Sequence, residues 1–198
     1  VGENSEIMVR EADVADTSLS AIDERTGDMI AAMPEVAHVS GMIFTAVIMP
    51  ETGSFLIIQG ISPKEYAIRN IQVVEGESLT SNHQILLGRT MADALKKQVG
   101  DTVDIGGSRF RVTGIYESGV SWEELGGVIT LRDAQALAGR PRKVTMYSIK
   151  VKDPQKAPEL VERINRQHRG IHAALTGDFV EQMPDMENSR RMLSGRDP

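Results

Sequence analysis

Apolar and polar positions alternate most clearly between Ile85 and Leu137. Ile85-Leu86-Leu87 reads as a buried strand that ends at Gly88. A short amphipathic helix follows, with Met91, Ala92 and Leu95 on one face, and Gly100 is placed to stop it in the left-handed conformation. Val103 and Ile105 then alternate with polar residues. Gly106-Gly107 turns the chain, and Phe110, Val112 and Gly114 continue as the returning strand. Gly126 to Leu131 predicts a strand running into a helix capped by Thr130 and ended by Gly139.

The two ends of the chain have a different rhythm. Ile7-Met8-Val9 predicts a short strand. Leu19, Ile22, Met29, Ile30 and Met33 predict one face of a helix over about 18–33, closed by Pro34. Val36 to Met49 and Ser54 to Gln59 are rich in Val, Ile, Thr and Phe. Pro50-Glu51-Thr52-Gly53 lies between them as a four-residue turn, so the pair predicts a β-hairpin. Ser62-Pro63-Lys64-Glu65 has the residues of a capping box and predicts a helix start, with Ile71 to Val74 extended after it. Val144 to Val151 predicts a strand, Asp153-Pro154 opens a helix with Ala157, Leu160, Val161 and Ile164 as its buried stripe, and Ile171 to Leu175 predicts another strand. Asp178-x-x-Glu181 opens a terminal helical segment. With 63–143 set aside, the ends read β-α-β-β and β-α-β, and the expected arrangement is the ferredoxin-like β-α-β-β-α-β pair of split β-α-β units. The expectation is therefore an α+β fold: one lobe of 1–62 plus 144–198, and an inserted mixed α/β, barrel-like subdomain over 63–143.

Composition adds limits rather than a function. The chain has 198 residues, 40% apolar and 25% charged, as in an ordinary globular protein. Aromatics are only 4% and there are ten Met, so the core should be aliphatic and adaptable. The net charge of −6 is unevenly spread: residues 1–62 hold ten acidic and two basic side chains, whereas the rest is nearly balanced. That bias reads either as a solvated acidic face or as a surface for a basic partner. No basic tract interleaves with aromatics, which argues against nucleic-acid binding. The absence of Cys excludes disulfides, thiolate metal sites and a Cys nucleophile. No apolar run approaches the roughly 18 residues that a membrane helix needs.

Candidate chemistry is sparse. His168-x-x-x-His172 has the i,i+4 spacing of a metal pair, but Gly170 between them should break the helix, leaving surface histidines. Nucleophile-elbow, phosphate-loop and dinucleotide motifs are all missing. The most unusual polar stretch is Tyr116-Glu117-Ser118-Gly119-Val120-Ser121-Trp122-Glu123-Glu124, which holds the single Trp beside three carboxylates. Ser121-x-x-Glu124 would cap a short helical turn. An exposed Trp would anchor a partner. A carboxylate-dependent hydrolase using Glu117, Glu123 or Glu124 is an alternative, and a ligand-sensing domain another. Tyr116, Glu117, Trp122, Glu123 and Glu124 are the candidate partner-binding residues; none is assigned to catalysis, a cofactor or a metal.

The order Gly88, short helix, Val99-Gly100-Asp101, then Phe110-x-Val112-x-Gly114-Ile115 resembles the extracytoplasmic domain of MacB/FtsX-type ABC transporter permeases. Met33-Pro34-x-Val36-x-x-Val39-Ser40 and Ile57-x-x-x-Ile61 are similar to further parts of that family's pattern. The resemblance implies a membrane-proximal "porter" lobe with an inserted "sabre" lobe, sited between the first two transmembrane helices of a cell inner-membrane permease and facing the periplasm or extracytoplasmic space. It implies no enzyme activity and no cofactor in this domain. It implies an ABC ATPase subunit as partner through the membrane part, a dimeric full-length permease, and an extracytoplasmic adaptor, carrier or hydrolase protein as the contact outside the membrane.

Overall fold

The computed structural model describes residues 6–16, 19–50 and 52–177, with only the backbone described at Ser121 and Trp122. In chain order, the first elements are β1 (Ile7–Glu11), β2 (Ile22–Asp23), α1 (Glu24–Ala31), β3 (Val36–Ile48), β4 (Phe55–Ile61) and β5 (Val73–Gly76). Next come β6 (Gln84–Gly88), α2 (Arg89–Leu95), β7 (Thr102–Ile105), β8 (Ser108–Tyr116), α3 (Ser121–Glu124), β9 (Gly126–Ile129) and α4 (Leu131–Ala138). The last are β10 (Lys143–Val144), β11 (Met146–Val151), α5 (Ala157–Gln167) and β12 (Ile171–Leu175). The predicted segment from Asp178 lies outside the described residues. The chain divides into two compact units, 1–42 with 142–198, and 43–141.

The first unit has the strand order β12-β1-β11-β3, with every neighbouring pair antiparallel. The β1-α1-β3 and β11-α5-β12 segments are thus two split β-α-β units with interleaved strands, the ferredoxin-like arrangement. Ile7, Val9, Ile30, Ile149, Leu160 and Ile164 are fully or almost fully buried in this unit. Asp153 accepts a hydrogen bond from the Gln155 N–H and caps a 3₁₀ turn over Pro154–Lys156, which leads into α5. Its inward stripe is Ala157, Leu160 and Ile164. Asn165 on the same helix serves β12 directly: its amide donates to the Ala173 carbonyl at 2.9 Å and its oxygen accepts from the Ala173 N–H at 2.7 Å. Both backbone groups are thereby satisfied without another strand, one way a sheet edge is kept from pairing with a neighbour.

α1 is shorter than the 18–33 expected. Ile22–Asp23 is taken by pairing with Lys143–Val144, and Asp23 then caps the helix by accepting from the Arg25 N–H at 2.9 Å. An eight-residue helix buries a narrow face, here Gly27 and Ile30, so Leu19 and Met29 of the expected stripe are exposed. Gly27 is required by contact: a Cβ there would lie 2.5 Å from Cζ of Tyr147.

In the second unit the hairpin forms as predicted, with the Met49 N–H donating to the Ser54 carbonyl at 2.9 Å and Gly53 at φ +67°. β4 then pairs in parallel with β9, which is antiparallel to β6, which is parallel to β8. β7 and β5 share the remaining side of β8, β7 along its first half and β5 along its second. The sheet is mixed and its strand order is open, so the barrel-like expectation is corrected: no closed barrel forms among the described residues. Parallel neighbours cannot be joined by tight turns and need crossover connections; α2 lies in the one from β6 to β8, and α4 follows β9. Their residues Met91, Ala92 and Ala134 join Leu56, Ile58, Ile85, Leu87, Phe110, Val112 and Ile129 in one core.

The boundary between units falls at 42/43 rather than 62/63, because β4 finds its partner in β9. Other local expectations are also displaced. α2 is closed by Lys96 at φ +54°, with the Lys97 N–H returning to the Ala92 carbonyl, and Gly100 instead makes the turn before β7. The Ser62 capping box makes only a turn, its carbonyl accepting from the Glu65 N–H, before a short 3₁₀ segment at Tyr66–Asn70. Gly106 and Gly107 both have positive φ, as the tight turn demands, and Thr130 and Gly139 cap α4 as expected.

Gly60 is the tightest point between β4 and α4, where an added Cβ would meet the Ala134 side chain and lie 2.6 Å from Cγ2 of Ile43. Gly60→Ala should therefore destabilise the second unit by about 1–3 kcal/mol through overpacking. Urea denaturation reads this out; an unchanged midpoint would contradict the packing described.

Candidate partner-contact site

The segment singled out by sequence leaves the sheet at the end of β8 and returns to it at β9. Its backbone folds locally because the Ser118 hydroxyl accepts from the Val120 N–H at 3.1 Å, and the Val120 carbonyl accepts from the N–H groups of Glu123 and Glu124. The result is the single turn α3.

Three ties hold this turn against the sheet. The Tyr116 hydroxyl donates to the Glu123 carbonyl at 2.6 Å. Gly88 lies directly beneath Glu124, where any Cβ would collide with the Glu124 backbone. Gly126 keeps the floor flat: a Cβ there would lie 2.6 Å from the Ile57 carbonyl and 3.5 Å from the Tyr116 hydroxyl. The start of the loop is fixed separately. Arg89, the first residue of α2, places Nε 3.3 Å from Oε1 of Glu117 and Nη2 3.1 Å from Oε2 of Glu75. The Glu117 N–H also donates to the Gln72 carbonyl at 3.1 Å.

The five candidate residues thus fall on one tied-down segment but differ in role. Glu117 is exposed and engaged by Arg89, and Glu123 and Glu124 are half-buried. Tyr116 is only 7% exposed, so it braces the turn from below and does not offer its ring to a partner. Burial, then the negative charges of Glu123 and Glu124, push its phenol well above the usual tyrosine range. It stays neutral at any working pH and keeps the proton it donates. Trp122 lies within α3, and its side chain is not described.

Sequence reasoning did not single out Arg89. Its two acidic partners lie at positions 75 and 117, and only the fold brings them to one guanidinium; no local motif signals such a bridge. The histidine pair resolves as expected, with His168 at the end of α5 and His172 in β12, so they share no helix face. No group of three or more His, Cys, Asp or Glu able to hold a metal occurs among the described residues.

Comparison with known proteins adds what the geometry alone lacks. Residues 4–167 match the MacB-like periplasmic core domain family. The chain belongs to that family. No curated protein matches the sequence. Among solved structures, the periplasmic region of MacB from Actinobacillus actinomycetemcomitans superposes with a TM-score of 0.70 at 13% identity, covering 93% of this chain and 94% of that one. The extracellular domain of the noncanonic ABC-type transporter YknZ from Gram-positive bacteria gives a TM-score of 0.66 at 14% identity, covering 85% and 99%. At such identities these two structures support the fold. The family match makes this MacB-like chain a domain of transporter permeases rather than of a known enzyme family.

Tyr116→Phe should cost about 1 kcal/mol, the worth of one internal hydrogen bond. It should also speed amide exchange across 117–125. Hydrogen exchange with mass-spectrometric readout tests this, and unchanged protection there would show that the hydroxyl does not hold the turn.

Proposed function

We propose that this MacB-like domain belongs to an inner-membrane ABC permease subunit and couples ATP-driven movement of the membrane part to a protein outside the membrane. The match to the periplasmic core family over residues 4–167 carries the reading. Hydrolysis takes place in a separate nucleotide-binding domain or subunit, the full permease works as a dimer, and this domain needs no cofactor. Such coupling requires packed units that move as bodies rather than a chemical site. The buried cores of the two units fit that requirement, and the sequence carries no nucleophile-elbow or phosphate-loop motif.

The partner contact in this proposal is the turn carrying Trp122, Glu123 and Glu124, with Glu117 at its rim. A segment tied to the sheet by Tyr116, Gly88 and Arg89 loses little conformational freedom on binding, which favours affinity. The partner is an adaptor, carrier or hydrolase protein, engaged for efflux or lipoprotein-type export.

Trp122→Ala in the full permease should weaken binding of that partner by roughly 2 kcal/mol with thermal stability preserved. If the mutation instead destabilises the fold by about 3–5 kcal/mol, the indole belongs to a core. Either that result or unchanged affinity would remove Trp122 from the contact. A hydrolase function predicts turnover by the isolated chain that is lost in Glu124→Gln; the transporter reading predicts no turnover in either protein.

A further inference from the structure

The end of the β3–β4 hairpin is an apolar surface that the partner-contact reading leaves unused. Side chains alternate across the two strands. Met49, Leu56 and Ile58 face the core and are essentially fully buried. Ile48, Phe55 and Ile57 face outward at 58%, 68% and 43% exposure, and Ala46 beside them is also exposed. From Val39 to Ser62 the only charged residue is Glu51. We propose that this hairpin end inserts shallowly into the surface of a zwitterionic lipid bilayer.

Three observations favour lipid over a protein occupant. The first is area. The three outward side chains offer on the order of 300 Å², a patch of the size that marks interaction sites on monomers. A stable dimer buries about 800 Å² per partner, so a second copy would be held too weakly by this face.

The second is the state of the turn backbone. Leaving water is costly for unbonded N–H groups. Here the Met49 N–H donates to the Ser54 carbonyl, and the Thr52 and Gly53 N–H groups both donate to the Met49 carbonyl. The Ser54 N–H donates to the Thr52 hydroxyl at 3.3 Å, and Pro50 has no N–H. Each of these described backbone N–H groups is therefore bonded within the hairpin and would not be stranded in a less polar layer.

The third is charge. A protein-binding patch usually has a polar or charged rim that sets register, and this stretch has a single carboxylate and no cation. A carboxylate in the sequence of this stretch makes entry into hydrocarbon costly, which limits the insertion to the interface. The chain's net charge of −6 further predicts that attraction to the membrane is apolar rather than coulombic.

Flotation of the full chain with phosphatidylcholine vesicles tests the inference, against a double variant Ile48→Ser, Phe55→Ser. The wild type should float with these vesicles, at high salt as well as low, and less with anionic vesicles. The double variant should lose binding by at least about tenfold. Matching circular dichroism spectra would exclude unfolding as the cause, because both side chains are exposed. Wild-type protein that fails to float would overturn the proposal, as would a variant that floats equally. Concentration-dependent dimerisation of the wild type that the variant lacks, without vesicle binding, would assign the patch to a second copy and likewise overturn it.

Discussion

The second unit depends on the parallel pairing of β4 with β9, which sets Ile57 against Gly126, Ile58 against Gly127 and Gly60 against Ile129. At each of these three glycines, the missing side chain leaves space that something else occupies. Gly60 admits Ala134 of α4, Gly127 admits Ile85, and Gly126 lies open to the loop that returns from β8. A mixed sheet normally keeps helices at the distance set by its own side chains. Here the floor is lowered locally, so α4 approaches closely and α3 can rest where a Cβ on Gly88 would lift it away. The same pairing draws β4 out of the first unit and places the hairpin with the second.

The consequence for function is a division between braced and presented residues. Tyr116 is spent internally, and Arg89 pins the start of the loop through Glu117 and Glu75. Glu123 and Glu124 remain at the surface of a turn that cannot easily unwind. Under the proposed function these two carboxylates, with Glu117, are what the turn offers to a partner. Membership in the MacB-like periplasmic core domain family places the chain among domains of transporter permeases.

What was legible in the sequence follows physical locality. The Gly106-Gly107 turn, the Thr130 and Gly139 caps and the Pro50–Gly53 hairpin turn each depend on two to four adjacent residues, and all appear where expected. The ferredoxin-like order of the first unit was readable because β-branched runs and capped helices alternate cleanly. The boundary at 42/43 was not, because it depends on β4 choosing β9, a partner about 70 residues away in sequence. The Ser62 capping box failed because a cap stabilises a helix only if an apolar face follows, and Tyr66–Asn70 supplies one buried residue, Ile68. Arg89 was invisible because its role lies wholly in tertiary placement.

The central claim is that this domain moves when ATP is bound and hydrolysed elsewhere. This domain contributes no cysteine, so Thr90→Cys at an exposed position of α2, in a full permease dimer whose remaining cysteines have been replaced, gives one spin-label site per copy. Pulsed electron resonance would then measure the distance between the two copies without nucleotide and with ATP under non-hydrolysing conditions. The account predicts distance distributions that shift between the two states. Superimposable distributions, in a permease whose ATPase is active, would contradict it.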